Sequence, residues 1–337
     1  MREMREMSDL PKSVKIAIAL VPIILIAVVF IFVMVGLGFN RARVHVQIIV
    51  SAVEGSTELD LSNMRPQLRS RDIVPLRSGT HFTSLNLSGQ LINDLSPLSD
   101  LTNLTSLDLR RNLISDISPL SGLTNLTSLY LGSGLIMDLS PLSGLTNLAS
   151  LHLNLYRNSD KSLLLNFTNL TSLSLGGSLS GSQISDLSVI SGLTNLTHLA
   201  LNGHSQISDI SLISYFTNLT SLSLSGNQIS DLSPLSGLTN LTSLNLSGNQ
   251  ISDLSPLSAL TNLTSLSLEF NQISDISPLS DLTNLRRVRL WQNQISDWSP
   301  VEHVLIVIGR PLNYCTLLQH GIVDAIQILM EEYQAME

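Results

Sequence analysis

Leucine and isoleucine recur at fixed intervals over most of the chain, and their spacing predicts short strands joined by turns. Between Ser221 and Ser225, leucines alternate with serines, which is the period of a β-strand with one buried face. The segment that follows, Ser-Asp-Leu-Ser-Pro-Leu, is too short for a full α-helix. Pro234 in this segment suits the first position of a 3₁₀ turn, so each stretch predicts one strand followed by one turn.

This stretch is one unit of an internal repeat with a period of 22 residues. The unit that begins at Leu238 reads LTNLTSLNLSGNQISDLSPLSA. Because successive units run in the same direction, their strands are predicted to stack in parallel about 4.8 Å apart. We therefore expect an α/β fold, a solenoid with a parallel sheet on its concave side and 3₁₀ or irregular turns on its convex side. A less regular copy begins at Gly79, and near copies of the unit begin at Leu101, Leu123, Leu145, Phe167, Leu193, Phe216, Leu260 and Leu282.

Asparagine occupies one position directly after most of the predicted strands. An amide turned inward can donate to and accept from backbone groups left unpaired where the strand turns, so a structural ladder of amides is expected. The pattern LxxLxLxxNxIxxLxxL over residues 79–303 resembles the 22-residue class of leucine-rich repeat in internalin-like bacterial surface proteins. The resemblance implies a protein partner without identifying it. The predicted ladder residues are Asn112, Asn227, Asn249, Asn271 and Asn293.

The unit that begins at Leu145 departs most from the pattern. It has Tyr156 in place of the ladder asparagine, and the Ser-Pro-Leu turn is lost at residues 162–164. The next two units carry insertions, and together with Gly134 these changes are expected to interrupt the asparagine column across four turns. Either decay of the repeat or a bend that serves a particular partner would explain them.

An uncharged apolar run extends from Ile16 to Phe39. As a helix it would span roughly 36 Å, enough to cross a bilayer, so a single transmembrane helix over 16–39 is expected to contact lipid. A cleaved signal peptide and a buried soluble helix are the alternatives. Four basic residues precede the run and two follow it closely, which predicts a cytoplasmic N-terminus and repeats on the outer side. These basic residues are Arg2, Arg5, Lys12 and Lys15 before the run, and Arg41 and Arg43 after it.

The two ends of the repeat region need covers for their apolar layers. Alternating Val44, Val46, Ile48 and Val50 are expected to contribute to the first cover, and residues 304–308 read as a last strand before a C-terminal capping helix. The predicted domains are a cytoplasmic segment (1–15), the transmembrane helix (16–39), a juxtamembrane segment with a divergent cap or repeat (40–78), about ten repeats (79–303) and a C-terminal cap (304–337).

Aspartate also forms a column, at the start of each predicted turn. A carboxylate before a helical turn accepts backbone N–H bonds worth about 1 kcal/mol, so these residues are predicted to be structural caps. Calcium binding by the stacked carboxylates is the alternative, and no metal is expected. The column comprises Asp94, Asp116, Asp138, Asp160, Asp186, Asp209, Asp231, Asp253, Asp275 and Asp297.

Composition narrows the classes of function. The 337 residues are 43% apolar and only 13% charged, the net charge is −8, and no Lys or Arg occurs between Ser162 and Leu285. Phosphate binding needs clustered basic residues, so nucleic acid is not expected as a partner. The seven histidines do not recur at metal-ligand spacing and no nucleophile or phosphate-loop motif is present, so neither catalysis nor a cofactor is expected. The single Cys315 cannot form an intrachain disulfide.

The concave face should be mostly serine, and the exceptions gather in two places. Tyr, Trp and Arg are the residue types that anchor interfaces, so both places are candidate partner-binding sites. Shielding of an exposed solenoid end is the alternative for the second place. The candidates are Asp108, Arg110, Arg111, Tyr130, His152 and Tyr156 in the first place, and Glu269, Phe270, Arg287, Arg289 and Trp291 in the second.

These features predict a membrane-anchored protein that mediates protein–protein interaction or adhesion at the cell surface through its concave face. Two other functions fit the same features. The repeats would serve as a cytoplasm-facing membrane scaffold if the orientation were reversed. They would bind glycans at the cell surface if Tyr130, Tyr156 and Trp291 stacked on sugar rings.

Overall fold

The computed structural model describes residues 39–132, 135–154, 161–176 and 184–310. Twelve strands form one parallel sheet in which each strand pairs with the strands before and after it in the chain. The predicted parallel sheet of a solenoid is therefore confirmed. The strands are β1 (Glu58–Asp60), β2 (Ser84–Asn86), β3 (Ser106–Asp108), β4 (Ser128–Leu131), β5 (Ser150–Asn154), β6 (Ser172–Gly176), β7 (His198–Ala200), β8 (Ser221–Ser223), β9 (Ser243–Asn245), β10 (Ser265–Ser267), β11 (Arg287–Arg289) and β12 (Ile306–Ile308).

A short 3₁₀ turn brings the chain back along the convex side of each repeat, as predicted. Proline stands near the start of most of these turns, for example in Ser233–Leu235 and Ser255–Leu257, where its fixed φ is suited to helix initiation. The remaining 3₁₀ turns are Ser70–Asp72, Val74–Ser78, Ser96–Leu98, Ser118–Leu120, Ser140–Leu142, Ser162–Asn166, Leu187–Ile190, Ser211–Tyr215, Ser277–Leu279 and Ser299–Val301.

The core is a set of apolar columns that run through the stacked turns. The register places equivalent positions of successive repeats side by side, so Leu222 lies beside Leu244 and Leu244 lies beside Leu266. Burial of each leucine contributes about 1.5–3 kcal/mol, and every added turn extends the same apolar layers. The unit that begins at Leu238 buries Leu238, Leu241, Leu244, Leu246, Ile251, Leu254 and Leu257.

Buried amides join each turn to the one before it. Asn249 Nδ2 donates to the carbonyl oxygens of Leu224 (3.0 Å) and Leu246 (2.9 Å), and its Oδ1 accepts from the backbone N–H of Ile229 at 3.0 Å. One side chain therefore satisfies buried backbone groups on two turns, which would otherwise cost about 1–3 kcal/mol each. Asn112, Asn227, Asn271 and Asn293 donate in the same way.

Two other residue types take the amide's place in this column. Gln90 accepts from the backbone N–H of Leu68 at 2.7 Å and donates to the carbonyl of Ser62 at 2.8 Å. His204 is fully buried, with Nε2 at 2.8 Å from the carbonyl oxygen of Leu175 and Nδ1 at 3.3 Å from the backbone nitrogen of Ile184. The sequence predicts that the asparagine column is interrupted in the repeat that contains His204. This prediction is wrong for that repeat, because imidazole also offers one donor and one acceptor.

The extra residue in that same repeat leaves one ladder contact unmade. Ser205 stands between His204 and Gln206 with a positive φ of 50°, and the repeat is one residue longer than its neighbours. In the next turn Asn227 Oδ1 is buried without a hydrogen-bond partner. The corresponding oxygen of Asn249 accepts from the backbone N–H of Ile229. The ladder therefore lacks this hydrogen bond at Asn227, in the turn that follows the inserted residue.

A second asparagine column, which the sequence analysis did not predict, lies at the other end of each strand. Asn240 Nδ2 donates to the carbonyl of Thr217 at 3.0 Å, and Thr242 Oγ1 donates to the carbonyl of Thr220 at 3.0 Å. These contacts repeat with the Leu-Thr-Asn-Leu-Thr motif and add exposed links between turns. The asparagines in this column include Asn103, Asn125, Asn147, Asn169, Asn195, Asn218, Asn262 and Asn284.

An α-helix, α1 (Phe39–Glu54), covers the N-terminal end of the solenoid. The expectation that alternating residues 44–50 contribute to this cover holds only in part, since Val44 and Ile48 are buried while Val46 is half-exposed and Val50 is exposed. Burial at positions four apart is the helical period. The helix is fixed at its start, where Asn40 Nδ2 donates to the Pro66 carbonyl (3.3 Å) and Arg43 Nη1 donates to the Arg65 carbonyl (2.7 Å).

The predicted transmembrane helix falls at residues 16–39, almost wholly outside the described residues. Among the residues that the structure describes, no helix has the length and apolar character needed to span a bilayer. The predicted capping helix within 304–337 also lies beyond them, as do Gly134, Tyr156, Asp160 and Cys315. The last described strand, β12, lies within residues 304–308, where the sequence predicts it.

Replacement of Asn249 by alanine tests the inner ladder. Asn249→Ala leaves buried groups on two turns without partners, so we expect the free energy of unfolding to fall by about 3 kcal/mol. Asn262→Ala is the matched control, because Asn262 is exposed and its amide donates only to the Thr239 carbonyl; its loss should be about 1 kcal/mol or less. Urea unfolding of the full-length protein in detergent measures both. Equal losses would contradict a dominant role for the inner ladder.

Candidate binding surface

The concave face consists of the outward-pointing side chains of the strands. Serine fills most of these positions, and the register places one strand's serine beside the next, as in the pairs Ser221–Ser243 and Ser243–Ser265. Where serine lies beside serine, the surface is neutral and offers only small hydroxyl groups. The candidate residues depart from this background at strands β3–β5 and again at β10–β11.

The first cluster, which we name the Tyr130 cluster, comprises Asp108, Arg110, Tyr130 and His152. The register places Asp108 beside Tyr130 and Tyr130 beside His152 on three successive strands. Arg110 Nη2 donates to Asp108 Oδ2 at 2.6 Å, and its guanidinium carbon lies 5.1 Å from the centre of the Tyr130 ring. A bidentate ion pair together with a cation–π contact fixes the arginine before any partner arrives.

Histidine at the end of this cluster is uncharged at neutral pH. Burial lowers the pKa of His152, and the nearby positive charge of Arg110 lowers it further, although Asp108 acts in the opposite direction. The hydrogen bond with Asp108 raises the pKa of Arg110, so the guanidinium stays charged. The Tyr130 cluster therefore carries one ion pair and one neutral imidazole at neutral pH.

The second cluster, which we name the Trp291 cluster, comprises Glu269, Phe270, Arg287, Arg289 and Trp291. Glu269 is only 6% exposed; its carboxylate accepts from the Ser247 hydroxyl and lies 3.7 Å from Arg289 Nη1. The rings of Phe270 and Trp291 meet edge to face, with centroids 4.4 Å apart. The structure therefore places the Trp291 ring against Phe270, which precedes it by one turn of the solenoid.

The arginines of the Trp291 cluster point to the same side of the sheet. Arg287 and Arg289 are both half-buried and flank the fully buried Val288 on β11, so strand alternation places their side chains on the concave face. Together with Arg286 just before them, they end a stretch from Ser162 in which the sequence has no Lys or Arg. The concave face therefore carries its positive charge at two separated places.

One residue in the left-handed backbone region belongs to the Trp291 cluster, and another lies directly beside the Tyr130 cluster. Glycine occupies this position in several repeats, as at Gly226 (φ 68°) and Gly248 (φ 67°), but Arg111 (φ 56°), Phe270 (φ 54°) and Gln292 (φ 57°) occupy the equivalent position. For a residue with a Cβ this conformation costs roughly 1–2 kcal/mol. Strained residues of this kind collect at functional sites. In the sequence, this strain is visible as the loss of glycine directly before the ladder asparagine, a signal that the sequence-based prediction of the site did not include.

The aspartate column lies apart from the concave face, at the start of the convex turns. Asp253 Oδ1 accepts from the Ser255 backbone N–H at 2.8 Å, and its Oδ2 accepts from the Ser255 hydroxyl at 2.9 Å. Within the described ranges, no group of three or more His, Cys, Asp or Glu side chains is arranged to hold a metal ion. The same backbone contact is made by Asp94, Asp116, Asp138, Asp186, Asp209, Asp231, Asp275 and Asp297.

Hydrogen bonds from serine hold several of these carboxylates in the charged form. Backbone and side-chain bonds from Ser255 lower the pKa of Asp253, and those from Ser277 lower the pKa of Asp275. The neighbouring charges of Asp253 and Asp297 raise the pKa of Asp275, but less than the bonds lower it. At Asp275 the repulsion from neighbouring carboxylates is therefore weaker than the effect of the hydrogen bonds from Ser277.

Comparison with known proteins identifies the repeat. A family profile described as leucine-rich repeats in two copies matches residues 80–122, 102–143, 217–259 and 261–303. Among solved structures, the chain is similar to an internalin, InlF, from Listeria monocytogenes, with 36% identity over 77% of this chain and 82% of that chain, and a TM-score of 0.61. A search among curated proteins finds no match.

Two further structures share the fold. The functional domain of InlJ from Listeria monocytogenes, described as including a cysteine ladder, is 25% identical over 71% of this chain and 54% of that one, with a TM-score of 0.52. A TLR13–ssRNA13 complex is 24% identical over 72% of this chain and 38% of that one, with a TM-score of 0.51. The latter likeness concerns the fold alone.

Replacement of Arg111 by glycine tests the backbone strain beside the Tyr130 cluster. Arg111→Gly relieves a left-handed backbone at an exposed position, so we expect the free energy of unfolding to rise by about 0.5–1 kcal/mol. Gly248→Ala is the opposite change at the same position of the repeat, and it should lower stability by about 1 kcal/mol. Urea unfolding compares the two, and destabilisation by Arg111→Gly would refute the strain.

Acid titration tests the aspartate column. A carboxylate whose folded pKa lies below the ordinary 3.8 stabilises the fold above that value, and the contribution is lost as pH falls through the lower folded pKa. The triple change Asp253→Asn, Asp275→Asn and Asp297→Asn should therefore weaken the fall in Tm between about pH 6 and about pH 2. Asp281→Asn, outside the column, is the control, and calorimetry is the measurement. An unchanged acid dependence in the triple variant would contradict the capping role.

Proposed function

Because this chain belongs to the internalin-like leucine-rich repeat proteins, we propose that it binds a protein partner at the cell surface through the concave face of its sheet. The observation that carries the proposal is the pair of preorganised clusters on an otherwise serine-rich face. Arg110 is held by Asp108 and Tyr130, and Arg289 lies against the buried Glu269. Ordered arginine and aromatic side chains are typical anchors of protein interfaces.

The surface between the clusters supports the same proposal. Serine hydroxyls are small and neutral, so this part of the face can follow the contour of a partner without burying an unpaired charge. Residues around the anchors usually contribute shape and exclude water, while a few anchors supply most of the binding energy. On this concave face, the two clusters would supply the anchors, and the serines between them would supply the surrounding contacts.

Membrane anchorage is the second part of the proposal. The apolar run 16–39 is long enough to cross a bilayer, and the basic residues before it favour a cytoplasmic N-terminus with repeats on the outer side. A cytoplasm-facing scaffold needs the reverse orientation. Treatment of intact cells or spheroplasts with protease distinguishes the two, since outward-facing repeats are digested and inward-facing repeats remain intact.

Protein recognition fits the Tyr130 cluster better than glycan recognition does. Stacking on a sugar needs an open aromatic face, and the Arg110 guanidinium lies over the ring of Tyr130. Catalysis is not proposed, because the concave sheet is a broad surface and an enzyme requires a pocket that excludes water. The function that follows is recognition without chemical change.

A pair of alanine changes tests the concave face. The partner is first captured from intact cells by the full-length protein with a photoreactive residue at Ser267, which lies beside Arg289 in the sheet. Arg289→Ala with Trp291→Ala should then weaken binding to that partner by roughly tenfold or more, since each change removes an interface anchor. The matched control is Ser258→Ala with Gln272→Ala, at exposed positions away from the sheet.

Surface plasmon resonance with the captured partner measures both pairs. Equal binding by the wild type and by the Arg289 and Trp291 double variant would exclude the Trp291 cluster from the interface. A loss caused by the control pair would instead place the interface on the convex side or the edge. Thermal unfolding of each variant separates loss of contact from loss of fold.

A further inference from the structure

Exposed apolar side chains form a stripe along one edge of the first repeats. Leu91, Leu113 and Leu135 are 37%, 52% and 46% exposed, and Met137 beside them is 58% exposed. We name these four residues the leucine edge. Contiguous exposed apolar groups are rare on a soluble surface without a contact to make. The equivalent position in later repeats is polar, with exposed Gln228, Gln250, Gln272 and Gln294.

The leucine edge has no role in the core. The backbone N–H of Leu113 donates to the Ile92 carbonyl at 2.8 Å, and that of Gln250 makes the same bond to Ile229 at 2.9 Å. The leucines and glutamines therefore occupy one column. The next residue in each case, such as Ile114 or Ile251, is fully buried and fills the interior. Glutamine would satisfy the fold at Leu113 equally well, so the leucines serve something outside the chain.

The leucine edge begins where the chain enters the solenoid. Helix α1 starts at Phe39, and its first turn is bonded to the Pro66 carbonyl through Asn40. The residue after Pro66, Gln67, donates from its side chain to the Gly89 carbonyl, two residues before Leu91. The start of α1 is therefore bonded to the turn that precedes Leu91 in the stack. The apolar run 16–39 ends here.

Basic side chains flank the stripe. Arg65, Arg69 and Arg111 are all exposed; the backbone of Arg69 pairs with that of Leu91, and Arg111 is two residues before Leu113. The carboxylates of Asp94 and Asp116 lie further along the same loops, where serine N–H groups bind them. Apolar groups with arginine at their border suit the boundary between lipid headgroups and acyl chains.

We propose that the leucine edge rests on the surface of the lipid bilayer that residues 16–39 cross. This inference depends on the membrane anchorage proposed above and adds a second, peripheral contact. It would orient the first repeats along the membrane, because the edge and the start of α1 then meet the same surface. The later repeats, with glutamine at this position, make no such contact.

A lipid-quenching experiment on the full-length protein tests the contact. In a Cys315→Ser background, Ser115→Cys places an environment-sensitive fluorophore next to the leucine edge without altering it. Ser252→Cys is the matched control, since both serines are exposed and stand between a buried isoleucine and a column aspartate. The protein is reconstituted into vesicles of phosphatidylcholine and phosphatidylglycerol that contain spin-labelled lipid.

The expected result is strong quenching at position 115 and little at position 252. Leu91→Gln with Leu113→Gln and Leu135→Gln, which installs the side chain of the later repeats, should abolish quenching at 115 while the Tm is unchanged. Quenching that persists in this triple variant would overturn the role of the leucines. A fluorophore at 115 that is shielded without quenching by lipid would show a contact with protein and overturn the lipid contact.

Alkaline extraction of the same vesicles separates this inference from the anchorage. Protein that stays in the membrane but shows no quenching at 115 would overturn the leucine-edge contact and leave the anchor in place. Protein released by alkali would overturn the anchor, and with it the contact that depends on it. Retention together with quenching at 115 supports both.

Discussion

Each turn of the solenoid leaves backbone groups unpaired where the strand bends away from the sheet, and a buried side chain that both donates and accepts must satisfy them. Asn249 does so for two turns at once, and its equivalents repeat the contact along the chain. Unpaired polar groups inside an apolar core are expensive. The ladder therefore determines that turns stack in register, and the leucine columns can then close around it.

Once the interior is fixed in this way, only the outward positions are free to vary. The concave face departs from serine at the Tyr130 and Trp291 clusters, and the edge departs from glutamine at Leu91, Leu113 and Leu135. Strained backbones occur at Phe270 in the Trp291 cluster and at Arg111 beside the Tyr130 cluster. Variation at such positions has no benefit for the stacking itself, which is why we assign it to recognition at the concave face and to lipid at the edge.

Much of the fold could be predicted from sequence because a repeated pattern reports the same geometry many times. The strand around Leu222 and the turn at Pro234 follow from period and proline chemistry alone. His204 and Gln90 could not be recognised as ladder residues, since a pattern built on asparagine does not reveal that imidazole or a longer amide can make the same bonds. The helix at Phe39–Glu54 was missed because its alternating valines imitate a strand.

The candidate surface was predictable in part for a similar reason. Strand alternation shows which face carries Arg287 and Arg289, but the partners of their charges depend on rotamers, and the pairing of Arg289 with Glu269 appears only in three dimensions. The leucine edge was overlooked because single exposed leucines carry no signal in a leucine-rich sequence. Its meaning depends on the neighbouring start of α1, which periodicity does not locate.

Hydrogen exchange tests the ladder most directly, since it reports on individual backbone amides. If the buried asparagines satisfy the backbone, the N–H groups of Ile229, Ile251 and Ile273, which donate to Asn249, Asn271 and Asn293, should exchange as slowly as the strand amides beside them. Exchange of these three amides at the rate of exposed turns, while the strands stay protected, would show that the sheet and not the ladder holds the turns in register.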